Sequence, residues 1–227
     1  MPSKTKNIKF NEKDKPYNRH KQLSKIPLYT RQVERTFLIV CEGETERLYF
    51  QKFPLLTAKV VAYAAGRSHY TLIEYARRLM KEGDYDETWC VFDMDYNPEV
   101  GGQIQDYNNA VYADNGKNFR CAYSNDAFEL WFYLHYDYTE HSHPRDFYFD
   151  YLGTLWGLTS YRQEGKAQIF SQTIYDKLLT DIRSNQAQAI INAKKLYEKH
   201  QDLTPFEQNP VTTVYKLVEE LNKHLRK

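Results

Sequence analysis

The sequence predicts an α/β protein, with a Rossmann-like parallel β-sheet flanked by helices. Short, continuous apolar runs of strand length recur between residues 36 and 123, and segments with helical spacing of apolar residues separate them. Strands that alternate with helices in this way form parallel sheets. With 227 residues, of which 41% are hydrophobic and 15% aromatic, the chain is long enough to bury the core of one large domain.

Four strands are predicted from apolar runs of the kind that buried parallel strands carry. Between them, apolar residues at helical spacing predict three helices, the first stopped by Pro54 and the second ended by Gly83. The predicted strands cover 36–41, 58–64, 88–92 and 119–123, and the predicted helices cover 46–53, 70–81 and 103–115.

The second half of the chain is predicted to be largely helical. A Ser-Asn-Asp run with N-cap chemistry precedes an aromatic helix over 127–136. Residues 137–165 show little periodicity and are interpreted as a loop. From residue 166 two further helices are predicted, the first broken near 184 and the last over 212–225.

A net charge of +1 conceals a strong asymmetry along the chain. Residues 1–35 hold ten Lys/Arg against three carboxylates, a net of +7, whereas 84–150 hold fourteen carboxylates against three cations, a net of −11. The basic segment, with Arg31 and Arg35 among its cations, has aromatic residues interleaved and is suited to binding a nucleic-acid backbone. Docking on the acidic face of this or a partner subunit and a plain solubilising tail remain alternatives.

Three parts of the chain follow from these patterns. Residues 1–34 are predicted to be a basic, partly flexible arm, 35–136 a catalytic core, and 137–227 a loop with a helical extension that packs on the core.

Three cysteines without a CxxC pair argue against a disulfide framework and fit a reducing cytoplasm. No apolar run of membrane-spanning length and no signal-peptide pattern is present, so no membrane association is expected.

Carboxylates follow two of the predicted strands. Glu42 comes directly after the first, while Asp93 and Asp95 come after the third with a spacing that places both side chains on one side of an extended segment. In open α/β sheets, ligands bind outside the carboxyl ends of the strands. Converging carboxylates there predict a hard cation, Mg²⁺ or Mn²⁺. The alternative is structural: Glu42 helps to cap a helix and the two aspartates form a turn.

Further candidates lie downstream. Ser124, Asn125 and Glu129 are predicted to line a second metal or phosphate subsite, although Glu129 is equally explained as a buried carboxylate that holds its helix in place. Lys166 is the candidate cation for the reacting phosphate, against an ordinary surface lysine. Phosphodiester hydrolysis is the reaction that such a constellation suits, with Glu42 as a metal ligand or as general acid or base.

Several other polar or aromatic residues are interpreted as structural. Glu44 and Glu46 are predicted to be solvated residues at a helix start, with Glu46 next to the ligands as an alternative. His135 is predicted to be a hydrogen-bonded core histidine, and the aromatic stripe before it a packed core. His141 and His143 are predicted to lie in a loop without a metal. No GxxxxGK[ST] pattern is present, which argues against a Walker-type ATPase.

Five segments, taken in order from about residue 35 to the end, resemble the RloB-like family. A match in several places in the same order is far more specific than any one of them. The segments are 37–50 (FLIVCEGETERLYF), 91–95 (VFDMD), 124–135 (SNDAFELWFYLH), 189–194 (AIINAK) and 209–218 (NPVTTVYKLV).

The resemblance implies a Toprim fold, in which Glu42 corresponds to the family glutamate and Asp93 and Asp95 to its Asp-x-Asp pair. It further implies a Mg²⁺-dependent nuclease of bacterial anti-phage defence, acting on DNA or RNA, with a possible AAA-type ATPase as partner. One departure is that Asp126-Ala127 stands where the family often has Pro-Cys. The alternatives are a non-catalytic module that senses nucleic acid or regulates the ATPase and, less favoured, nucleotidyl transfer or hydrolysis of a small nucleotide.

Overall fold

Five strands form one sheet in the described residues, 35–66 and 69–225, of the computed structural model. The predicted arm over 1–34, including Arg31, lies outside the described residues. The sheet order is β2-β1-β3-β4-β5, in which the first four strands are parallel and β5 pairs antiparallel with β4. The predicted α/β class is confirmed, and the arrangement is consistent with a Rossmann- or Toprim-like fold. The strands are β1 (Arg35–Cys41), β2 (Ala58–Ala64), β3 (Glu87–Asp93), β4 (Phe119–Asn125) and β5 (Val211–Thr212).

Helices cover both faces of the sheet. A helix at residues 145–156 occupies much of the segment predicted as a loop, and the aromatic helix predicted over 127–136 is shorter than expected. The helices are α1 (Glu44–Gln51), α2 (His69–Glu82), α3 (Gln103–Val111), α4 (Glu129–Tyr133), α5 (Arg145–Trp156), a π-helix (Tyr161–Gly165), α6 (Gln168–Ser171), α7 (Ile174–Thr180), α8 (Gln186–His200), a 3-10 helix (Pro205–Glu207) and α9 (Val214–Asn222).

Alternate residues of the central strands feed two separate hydrophobic cores. Phe37 and Ile39 of β1 join the larger, aromatic core, whereas Leu38 and Val40 point to the opposite face and join the smaller one. The aromatic stripe over 128–134 belongs to the larger core, which confirms its structural interpretation. All three cysteines are free and buried, as expected for small core side chains.

The C-terminal extension completes the sheet. The Ser124 hydroxyl lies 2.8 Å from that of Thr212 between β4 and β5, and both side chains are fully buried. Asn125 donates its side-chain amide to the carbonyl of Phe206 at 2.7 Å, which ties the end of β4 to the 3-10 helix. In the parts of the chain that the structure describes, no helix has the length and apolarity needed to cross a bilayer.

Candidate functional site

The sheet order creates a crevice between β1 and β3. From β1 the chain moves outward to β2 on one side, and from β3 it moves outward to β4 on the other, so the connections diverge at this point. Such a switch point is where open α/β sheets bind ligands. The Glu42 N–H donates to the Val91 carbonyl at 2.9 Å, so Glu42 follows β1 directly beside the end of β3, where Asp93 stands.

Asp93 is buried at the bottom of this crevice, with 6% of its surface exposed. Its Oδ2 accepts a 3.0 Å hydrogen bond from the backbone N–H of Phe128, immediately before α4. The N-cap role predicted for residues 124–126 is wrong, because α4 has no side-chain cap of its own. A carboxylate from β3 holds the start of the helix instead, where the positive end of the helix dipole favours negative charge.

Asp95 does not continue the extended conformation of β3, contrary to the prediction. Its φ of +40° lies in the left-handed region, so the backbone turns after the buried Met94. The two aspartates nevertheless meet the same cation. Arg145, the first residue of α5, forms an ion pair with Asp95, and its Nη2 lies 3.8 Å from Asp93 Oδ2.

Glu46 is a site residue that the sequence reasoning interpreted as solvated, and that interpretation is wrong. It is only 8% exposed, because one helical turn places it above the end of β1 on the buried face of α1. Burial, the charge of Asp93 and the charge of Glu129 raise its pKa to about 8. Gly43 leaves the room that this requires, since a Cβ there would lie 2.6 Å from Glu46 Oε2. Glu44, in contrast, is half-exposed, with 43% of its side chain accessible, and is paired with Arg47.

Glu42 is likewise a carboxyl group whose ionised form is destabilised by burial and by neighbouring negative charge. Burial and the neighbouring charges of Asp93 and Glu46 raise its pKa well above its ordinary value, and a backbone hydrogen bond from Asp93 and the charge of Arg145 only partly oppose this. Its Oε2 is buried without a hydrogen-bond partner. A buried, unpartnered carboxylate oxygen is costly, so this position favours either a proton or an added cation.

Glu129 and Lys166 are brought together at the side of the crevice. Lys166 Nζ lies 3.4 Å from Glu129 Oε1, while Glu129 is 1% exposed and its Oε2 has no partner. Burial raises the pKa of Glu129, with Lys166 opposing the shift. The charge of Lys166 also lowers the pKa of Glu46, so this lysine acts on two of the carboxyl groups near the crevice.

Asp126 lies at the crevice but is held by backbone groups. Its Oδ1 accepts from the N–H of Tyr96 at 3.1 Å, and its Oδ2 accepts from the N–H of Arg145 at 3.2 Å. Burial raises its pKa, as does the charge of Asp93. Asp126 therefore fixes the start of α5 against the turn after β3.

Three predicted substrate-binding residues are not brought to the crevice. The side chains of Ser124 and Asn125 are buried in contacts with the C-terminal extension. Arg35 begins β1, at the opposite end of the strand from Glu42 and about 20 Å away at the rise of a β-strand. It pairs with Glu220 at 3.0 Å.

The histidines have the structural roles that were predicted. His135 is 3% exposed and its Nδ1 lies 2.9 Å from the carbonyl of Trp131, and burial lowers its pKa to about 4. His143 stacks on Phe147 with ring centroids 3.7 Å apart, in a segment between helices that also holds His141.

We call the six carboxylates around the crevice the carboxylate edge. Among the described residues, two cations, Arg145 and Lys166, form ion pairs with the carboxylate edge, so its carboxyl groups outnumber its paired cations. Oxygen donors and the unpartnered Glu42 oxygen fit a hard divalent cation by their chemistry. A preformed cage is absent, because no three His, Cys, Asp or Glu side chains among residues 35–66 and 69–225 are arranged to hold a metal. The edge comprises Glu42, Glu46, Asp93, Asp95, Asp126 and Glu129.

Comparison with known proteins agrees with the resemblance found in the sequence. Neither the curated proteins nor the solved structures contain a match to this chain. A protein-family model described as RloB-like protein matches residues 37–221, which run from within β1 to within α9 and include every strand and helix between them. The match covers more than half of the chain, and the protein therefore belongs to the RloB-like family.

Proposed function

We propose that this protein is a Mg²⁺- or Mn²⁺-dependent nuclease that hydrolyses phosphodiester bonds of DNA or RNA in bacterial anti-phage defence. The observation that carries the proposal is the carboxylate edge at the sheet's switch point. It joins six closely spaced carboxyl groups, of which Glu42 and Glu46 have raised pKa values, to an unpartnered oxygen of Glu42. A polyanionic substrate could not approach this edge without an added cation. A divalent ion would both reduce the repulsion of the substrate and give the Glu42 oxygen a partner.

Glu42, Asp93 and Asp95 are the residues that would hold the ion. When bound, the ion would supply charge neutralisation of the phosphate and a water of lowered pKa as nucleophile. Lys166 would bind a phosphate oxygen, and its 37% side-chain exposure and its 3.4 Å ion pair with Glu129 support that role. Glu46 retains its proton near neutral pH, and its pKa of about 8 suits a group that gives up a proton to a leaving oxygen or to water.

The test is a cleavage screen with the purified protein and Mg²⁺ or Mn²⁺. The substrates are single- and double-stranded DNA, bulk RNA and tRNA. Glu42→Ala and Asp93→Ala are expected to abolish cleavage of whichever substrate is cut. The matched control is Glu44→Ala, because Glu44 lies two residues from Glu42 but is half-exposed, pairs with Arg47 and is not part of the carboxylate edge.

Circular dichroism and thermal unfolding separate loss of chemistry from loss of fold. The proposal requires that Glu42→Ala is folded and inactive while Glu44→Ala cleaves at the rate of the unsubstituted protein. Cleavage by Glu42→Ala at that same rate would refute it. Since the family resemblance implies an AAA-type ATPase as a partner, we include such a partner in the proposal, and the screen is run both with and without an ATPase of this type.

A second candidate is a non-catalytic module that binds nucleic acid or regulates the ATPase. The observation that favours it is the absence, within the described residues, of three side chains arranged to hold a metal. Asp93→Asn distinguishes the two candidates. The non-catalytic module would bind nucleic acid with unchanged affinity after this substitution and show no turnover with any metal.

A further inference from the structure

Arg145 occupies the position between Asp93 and Asp95 that a bound cation would take. Its Nη1 pairs with Asp95 Oδ1, and its Nη2 lies 3.8 Å from Asp93 Oδ2. The guanidinium carbon lies 5.4 Å from the ring centroid of Phe149, one turn further along α5. The aromatic ring and the two carboxylates thus hold the guanidinium from different sides.

The backbone fixes the place from which this side chain reaches the crevice. Arg145 is the first residue of α5, and its N–H donates to Asp126 Oδ2 at 3.2 Å. Its position therefore does not depend on its own side-chain contacts. The side chain is 21% exposed and its Nε is buried without a hydrogen-bond partner, so the guanidinium is not fully satisfied where it lies.

The second cation at the carboxylate edge has a different partner. Lys166 pairs with Glu129, and the ion pairs of the described residues give Asp93 and Asp95 no cation besides Arg145. A divalent ion bound to these two aspartates would meet the guanidinium at close range, and like charges at that distance repel strongly. The ion and the guanidinium therefore compete for the same oxygens.

We propose that Arg145 is the counter-ion of Asp93 and Asp95 in the metal-free protein and that a divalent ion displaces it. The displaced guanidinium stays at the edge of the crevice, because the backbone of α5 is anchored by Asp126. There it is free to bind a phosphate group of the substrate. This inference rests on the proposed metal site and adds a residue that exchanges partners when the metal binds.

The experiment measures Mn²⁺ binding to the full chain by electron paramagnetic resonance and calorimetry, without substrate. Removing the competing charge in Arg145→Gln is expected to tighten Mn²⁺ binding about tenfold, the order expected for loss of a charge-assisted pair. Arg145→Lys retains the charge but loses the two-pronged contact, and about two- to threefold tighter binding is expected. If Arg145→Gln does not fold, the comparison of Arg145→Lys with the unsubstituted protein serves as the test.

Arg162→Gln is the matched control. Arg162 lies over the same Phe149 ring, at 5.2 Å, but pairs with Asp146 and does not contact Asp93 or Asp95. Its substitution is expected to leave Mn²⁺ affinity unchanged.

The outcomes separate the inference from the proposed function. Mn²⁺ binding of equal affinity in Arg145→Gln and the unsubstituted protein, or weaker binding in the variant, overturns the inference and leaves the metal site standing. Failure of all four proteins, the unsubstituted chain and the three variants, to bind Mn²⁺ overturns both. An equal gain of affinity in Arg162→Gln would show a general charge effect and would also overturn the inference.

Discussion

Replacing Glu46 by Gln is expected to stabilise the metal-free protein at alkaline pH. The pKa of Glu46 is about 8 in the folded protein, against an ordinary value of 4.5. Below pH 4.5 the carboxyl group is protonated in both the folded and the unfolded state, so its ionisation does not change the free energy of unfolding. As pH rises from 4.5 to 8, the unfolded chain ionises while the folded protein retains the proton, so the folded state progressively loses stability.

The size of the effect follows from the two pKa values. Each pH unit between them corresponds to about 1.4 kcal/mol, so the stability lost to Glu46 is about 3 kcal/mol at pH 7 and about 5 kcal/mol above pH 8. Gln cannot ionise and is close in size, so Glu46→Gln is expected to regain most of this free energy. That is a large part of the ~5–15 kcal/mol by which a domain is stable.

The assay is urea unfolding followed by tryptophan fluorescence at pH 5, 7 and 8.5, with a chelator present. The control is Glu44→Gln, because Glu44 is half-exposed and its pairing with Arg47 lowers its pKa, which reverses the sign. Glu44→Gln should therefore be no more stable than the unsubstituted protein at any of these pH values. If Glu46→Gln is no more stable than the unsubstituted protein at pH 8.5, Glu46 is not a buried, repelled carboxylate and the electrostatic description of the crevice fails.

Three further outcomes are expected. Burial lowers the pKa of His135 to about 4, so its neutral form contributes fully to the free energy of unfolding above pH 6.5, and this contribution falls by about 3 kcal/mol as the pH drops to 4. His135→Asn should lack this loss in acid unfolding, and an acid transition identical to that of the unsubstituted protein would contradict the prediction. Ser124→Ala should lower the free energy of unfolding in urea by about 1–2 kcal/mol, because it removes the buried 2.8 Å hydrogen bond to Thr212 and leaves that hydroxyl with only a 3.4 Å contact from the Val214 N–H. Mn²⁺ affinity should be unchanged, and weakened Mn²⁺ binding would show that Ser124 contributes to the metal site. Mg²⁺ should raise the melting temperature more at pH 8.5 than at pH 6, since the proton that the raised pKa of Glu42 retains competes with the ion; equal shifts at both pH values would speak against ligation by Glu42.

Strand-end chemistry is the part of the site that could be predicted from the sequence. Apolar runs mark β1 and β3, and in a parallel sheet the residues that follow them must lie at one edge, which brings Glu42 and Asp93 together. Glu46 carried a signal that the charge of the helix start obscured. It stands three residues before Tyr49 and four before Phe50, which is the spacing of one helical face, and that face is buried.

Arg145 could not be found in this way. It is fifty residues from Asp95, and the aromatic residues that follow it surround α5 on several sides, so the segment shows no helical stripe. Ser124 and Asn125 were misplaced for a related reason. Their partners, Thr212 and Phe206, are more than eighty residues away, and strand order alone does not reveal that β5 will pair with β4.

The late position of β5 has a consequence for synthesis of the protein. β4 is an edge strand until residues 211–212 are available, and its buried hydroxyl at Ser124 has no partner before then. During translation, the carboxylates from Glu42 to Glu129 leave the ribosome well before the strand that closes the sheet beside them. A nascent chain therefore cannot complete this sheet, and assembly of the crevice is coupled to the arrival of the C-terminal residues. For a protein proposed to cut nucleic acid, that order of events delays activity until residues 211–212 have been synthesised.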